Sequence, residues 1–142
     1  MTRPALRATA ADGVLREFRR PALWTAIWLV ALATIAVVCL RPVPEWVPQG
    51  FVGIDKLEHF LAYLALSAYA VMLFARPRTQ ALAGLGLIVF GVAIELAQGA
   101  FTARTADLGD ALANALGVWL GLASASTRAA SLLQCVDRWL RR

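Results

Sequence analysis

A chain of 142 residues with 60% hydrophobic and only 16% charged residues, at a mean hydropathy of +0.65, is too apolar for a soluble domain of this size. Its net charge of +5 does not indicate nucleic acid, because the basic residues are dispersed between apolar runs instead of forming one polar surface. The expectation is a single all-α membrane protein.

Residues 1–21 form a basic amino-terminal segment, and ALRATAADGVLREFRR within it carries a weak amphipathic pattern. The first apolar window, Ala22 to Leu40, follows Arg19 and Arg20 as a signal peptide would. No A-x-A site comes after it, its apolar run is too long, and Val38 is a poor residue to precede a lipoprotein-type Cys39, so it reads as a retained span. The connector RPVPEWVPQG, rich in proline and holding Trp46, reads as a stiff loop at the membrane interface. Three further windows follow: Ile54 to Ala75, Ala81 to Phe101 and Leu108 to Ser126. Each has the roughly 20 residues that cross a hydrocarbon core about 30 Å thick. Residues 22–126 are therefore expected to be a compact bundle of four transmembrane helices. In the tail, residues 127–142, Leu132, Leu133, Val136, Trp139 and Leu140 recur at helical spacing among arginines, as in a helix lying on anionic lipid. A helix packed on the ends of the bundle would show the same pattern.

Orientation follows from the positive-inside rule. Arg3, Arg7, Arg16, Arg19, Arg20, Arg76, Arg78, Arg128, Arg138, Arg141 and Arg142 fall on one side of the four spans, and only Arg41, Lys56 and Arg104 on the other. Both termini are then cytoplasmic. Cys39 and Cys135 fall near opposite faces, too far apart for a disulfide within one chain, which requires Cα atoms within about 7 Å.

This topology gives every polar group a depth. Asp55, Lys56, His59 and Tyr63 fall within an arc of about 100° at the outer end of the second span, with Glu58 pointing away. Glu95 and Gln98 lie near the outer end of the third, and Arg104 in the loop beyond it. Asp107, Asp110, Asn114, Gly117 and Gly121 form one narrow stripe down the fourth. A charge in hydrocarbon costs roughly 3 kcal/mol or more unless it is paired, hydrated or turned inward, so the three stripes should face one another.

The ordered set D-K-x-x-H-F-x-x-Y, E-x-x-Q and R-x-x-D-x-x-D-x-x-x-N-x-x-G-x-x-x-G, at Asp55, Lys56, His59, Phe60, Tyr63, Glu95, Gln98, Arg104, Asp107, Asp110, Asn114, Gly117 and Gly121, resembles the VanZ-like membrane protein family. The resemblance spans about Ala22 to Ser126. It implies a small polytopic protein of the bacterial inner membrane, with a founding member associated with resistance to the glycopeptide teicoplanin.

Three readings of the polar stripes stay open. In the first, Lys56, Arg104 and His59 donate to the headgroup of an anionic lipid or polyprenyl-phosphate-linked envelope precursor, with Asp55, Asp107 and Asp110 orienting them and Tyr63, Gln98 and Asn114 completing the ligand site. In the second, the site is catalytic: His59 acts as general acid or base with Glu95 or Asp110 as partner, and Arg104 stabilises developing charge. In the third, the polar groups only hold helices together in a membrane adaptor or assembly factor, helped by Gly117-x-x-x-Gly121. His59 could ligate a metal with Glu95, Asp107 or Asp110, but the spacing matches no metal motif, so no metal is assigned and the cofactor is unknown. Ser67 lies about two turns deeper than His59, which disfavours a serine triad, and is expected to bond its own helix carbonyl.

Overall fold

The computed structural model describes residues 13–41, 53–101 and 107–140. Arg3, Arg7, Trp46, Arg104, Arg141 and Arg142 lie outside them. The described residues form α1 (Pro21–Leu40), α2 (Ile54–Leu73), α3 (Pro77–Phe101), α4 (Leu108–Ala123), two short 3-10 turns (Ser124–Ser126 and Arg128–Ser131) and α5 (Leu132–Trp139). The fold class is all-α, and an isolated bridge between Leu15 and Phe74 is the one β pairing among the described residues.

Among the described residues three segments are long and apolar enough to cross a membrane: Pro21–Leu40, Pro77–Phe101 and Leu108–Ser126. α2 has the length but carries Asp55, Lys56, Glu58 and His59 in its first two turns, which lowers its hydropathy below that of the other three. This least apolar helix is also the most central. Among the described residues α2 alone packs against every other helix and both 3-10 turns. His59, Tyr63, Ser67 and Ala70 of α2 are buried, whereas α1 buries only Trp24 and exposes Leu29, Val30, Val37 and Val38.

Glycine sets the closest approach. A Cβ on Gly117 would stand 2.4 Å from the Phe60 carbonyl oxygen, and one on Gly121 would stand 2.8 Å from the Leu64 carbonyl oxygen and 2.6 Å from Ser67 Cβ. The expected small-residue seam on α4 therefore lies directly on the α2 backbone, the arrangement that such spacing permits. Ser67 corrects the expectation made for it. Its hydroxyl donates across the seam to the Val118 carbonyl at 2.9 Å, because the glycines bring that carbonyl nearer than a tie within α2 requires.

α3 starts four residues before the expected Ala81, with Pro77 at its first position, where a missing N–H and a fixed φ favour a helix start. Gln80 then reaches back to the Phe74 carbonyl at 2.9 Å and closes the turn. The weak amphipathic pattern in the amino-terminal segment does not become a helix over residues 13–20. Instead the Arg16 N–H donates to the Leu73 carbonyl (2.9 Å) and the Ala75 N–H to the Val14 carbonyl (3.0 Å), so the segment straps the end of α2 through backbone bonds that a helix would have consumed internally.

The tail docks against the same end. Leu133 joins Trp24 and Leu73 in an apolar cluster, while Asp137 accepts from the Arg19 N–H (2.7 Å) and the Trp24 indole N–H (2.8 Å). α1 has no side-chain cap of its own, and Asp137 supplies acceptors at its start from the far end of the chain. Leu132, Val136, Trp139 and Leu140 remain exposed. Of the two arrangements open in the sequence, the tail shows packing on the helix ends, and it leaves these four apolar side chains exposed. Cys39 and Cys135 form no disulfide with each other and lie at opposite ends of the helices.

Candidate functional site

Two helix starts build the polar end. Gly53, with φ of +110°, opens α2 in a conformation that L side chains rarely adopt, and so places Asp55 and Lys56 in the first turn and His59 in the second. Asp107 caps α4 by accepting from the Gly109 N–H at 2.7 Å. Gly109 leaves room for the Lys56 side chain, whose Cε would lie 2.6 Å from an added Cβ.

The Lys56 ammonium donates to Asp107 and, at 3.1 Å, to Asp110 Oδ1. With the Gly109 N–H, it holds the Asp107 carboxyl below the usual carboxylate range. An ammonium has three donors, so one N–H is left without a protein partner among the described residues, on a side chain that is 43% exposed.

Beneath this pair, His59 is 7% exposed and its Nδ1 lies 3.1 Å from the Asn114 carboxamide oxygen. Nδ1 donates to that oxygen, and Nε2 lies on the side of the mouth, 3.9 Å from Asp55 Oδ1. Ligand atoms of Asp55, His59 and Asp110 all lie within 4.8 Å of one another.

α3 contributes the third wall. The Asp107 N–H donates to Glu95 Oε1, while Glu95 Oε2 and the Tyr63 hydroxyl are buried without a hydrogen-bond partner among the described residues. Gly91, one turn before Glu95, lets α3 close over this spot: its added Cβ would lie 3.0 Å from Asn114 Nδ2 and 3.1 Å from the Tyr63 hydroxyl. Gln98 donates to the Cys39 carbonyl at 3.0 Å and ties α3 to α1.

The structure thus brings Asp55, Lys56, His59, Asp107, Asp110 and Asn114 into one α2–α4 cluster, with Tyr63 and Glu95 adjoining it on the α3 side. Gln98 faces α1 and is a helix tie. Arg104 lies outside the described residues. Two pairings differ from expectation. Glu95 bonds the Asp107 amide instead of His59, and the immediate partner of His59 is Asn114, while Asp55 lies beside His59, one of the donors it was expected to orient. The reason is helix register, since Asn114 sits one turn below Asp110 and meets His59 at its own depth. The capping role of Asp107 was legible as an acid just before an apolar run. The Asp137 anchor had no signal, because its donors are over a hundred positions away in sequence.

An apolar cavity of about 360 Å³ lies apart from this cluster, between α1 and α2, against Trp28, Ala31, Ile35, Ala62 and Leu66. Chemically the cluster offers one partly open ammonium, one oriented imidazole and several carboxylates under partial cover. Comparisons with protein-family models, curated proteins and solved structures give no match.

Proposed function

We propose that the chain is a four-span VanZ-like protein of the bacterial inner membrane, with both termini cytoplasmic, that binds the headgroup of an anionic lipid or polyprenyl-phosphate-linked envelope precursor from the outer leaflet. The observation that carries this reading is Lys56: two carboxylates hold its ammonium at the mouth with one N–H still without a partner among the described residues, directly above an imidazole that faces the same space. A phosphate oxygen is the natural acceptor for such a donor.

Several features support the wider reading. Lys56 and His59 turn onto α4, while Leu57 and Leu61 on the other side are exposed, and the exposed Glu58 lies in the first two turns at the membrane boundary, so the helix can serve as a fourth span. Arg16, Arg19, Arg20, Arg76, Arg78, Arg128 and Arg138 follow the positive-inside rule for a cytoplasmic base. The exposed apolar side chains of α5 then rest on the inner leaflet. The cavity beside α2 provides room for a hydrocarbon chain. Close backbone packing at Gly117 and Gly121 already joins α2 to α4, which leaves the ionisable groups in excess of what adhesion requires. His59 is placed to act as a general base on a bound headgroup.

The test is native mass spectrometry of the purified full-length protein with phosphatidylglycerol. Lys56→Ala should lower lipid retention about tenfold, the loss of one charge-assisted bond of 1.5–3 kcal/mol. Retention equal to the parent in a folded variant rejects the proposal.

A further inference from the structure

We infer that Asp55, His59 and Asp110 form a binding site for a divalent metal ion of the zinc or manganese class. The inference rests on the headgroup reading only for its purpose, since an ion there would face the same phosphate oxygens as Lys56. Its geometry stands independently.

Three donor atoms from two helices converge, all within 4.8 Å of one another. Ligands about 2.1 Å from a tetrahedral ion stand about 3.4 Å apart, so contraction by roughly 1.4 Å closes the set. Asp55 can supply that movement, because its side chain is 48% exposed at the start of α2.

A second observation comes from His59. It is more than nine-tenths buried, and its Nε2 faces Asp55 Oδ1 at 3.9 Å, beyond hydrogen-bond distance, with no closer partner among the described residues. Nδ1 is fixed by the buried Asn114 carboxamide oxygen. A ligating imidazole is held in this way, its other ring N–H donating to a carbonyl or carboxylate that sets tautomer and ring plane. Nε2 then stands on the side of the Asp55 carboxylate, where a cation could bridge imidazole and carboxylates.

The donor set selects the ion class. One imidazole and two carboxylates suit zinc or manganese, and three protein ligands beside an open mouth leave a position for water or a ligand oxygen. Lys56 shares Asp110 at 3.1 Å and is a competing cation for it. Removing the ammonium should therefore strengthen metal binding, an outcome that a purely structural role for the cluster would not produce.

The experiment uses the full-length chain in phosphatidylcholine nanodiscs, stripped with a chelator and titrated with Mn²⁺ by electron paramagnetic resonance, with Zn²⁺ as competitor. The expected result is one saturable site, weakened at least tenfold by Asp55→Asn and by His59→Gln, and tightened severalfold by Lys56→Met. Asp55 lies at the exposed mouth, so its variant keeps the fold even where the His59 variant does not. Absence of a saturable site, unchanged affinity in Asp55→Asn, or weaker binding in Lys56→Met overturns the inference. Phosphatidylglycerol retention by the metal-free protein is measured separately. Its loss on Lys56→Ala supports headgroup binding whatever the metal result, and metal binding without lipid retention rejects the headgroup reading alone.

Discussion

Two buried aspartates at opposite ends of the molecule, Asp110 and Asp137, are each 5% exposed, yet they are satisfied in opposite ways. Asp137 receives a backbone N–H at the start of α1 and an indole N–H, both fixed by helices and packing. Asp110 receives the ammonium of Lys56, a long side chain that is nearly half exposed. Fixed donors make a carboxylate into a joint. A mobile donor leaves it able to exchange one cation or ligand for another, and this is why we propose the Asp110 end as the functional one and the Asp137 end as scaffold.

The severest way to break the comparison is to separate the helices that span it. Gly117→Leu would force a side chain into the α2 backbone at Phe60, where even a Cβ is too close, and should cost more than the usual 1–3 kcal/mol of overpacking. Accumulated protein and thermal stability should both collapse, and a folded, lipid-retaining variant would contradict the seam.

Next in size is Asp137→Ala, which leaves the Trp24 indole and the Arg19 N–H without their acceptor. Melting temperature in detergent should fall clearly and the amino-terminal strap should become protease-sensitive, with lipid retention per folded molecule unchanged. Asp110→Asn should do the reverse, with a modest change in melting temperature and a large loss of retention. Equal effects on stability would erase the distinction between joint and site.

Titration sharpens it further. The Arg19 N–H, then the Trp24 indole, hold the Asp137 carboxyl below the usual carboxylate range. A depressed folded-state value stabilises the fold fully above the unfolded-state value, and that contribution is lost as pH falls through the lowered one. Stability should therefore drop on acidification below about pH 4, and Asp137→Asn should flatten the drop. Asp107 is lowered in the same direction by Lys56, but it is half exposed at the mouth, so Asp107→Asn should change the acid limb less.

The smallest effect belongs to Tyr63→Phe. Its hydroxyl is buried without a partner among the described residues, so removing it should leave stability unchanged or slightly higher, as deleting an unsatisfied polar group does. Lower lipid retention in that variant would assign the hydroxyl to the ligand. A loss of stability would show that it bonds within the protein.

Much of this end was legible before any coordinates. Helical periodicity placed Asp107, Asp110, Asn114, Gly117 and Gly121 on one stripe, and all but the capping Asp107 are buried together in the structure. Asp55, Lys56 and His59 meet that stripe as expected. Individual partners were not legible, because a shift of a few ångströms along two helices decides whether His59 meets Glu95, Asp110 or Asn114. Pairing across a seam depends on rotation and depth together, and periodicity gives only rotation.

The sequence by itself determined where the long apolar helices lie and which face of α4 carries the polar and small residues; of the four spans it suggested, three are apolar enough to cross a membrane among the described residues. These follow from short-range chemistry, namely residue size, hydropathy and a fixed 100° turn per residue. Only the tertiary structure decided that α2, the least apolar of the long helices, is the centre of the fold, that Ser67 bonds α4, and that Asp137 caps a helix begun more than a hundred residues earlier. Each depends on which backbone groups come close in space, and packing alone fixes that distance.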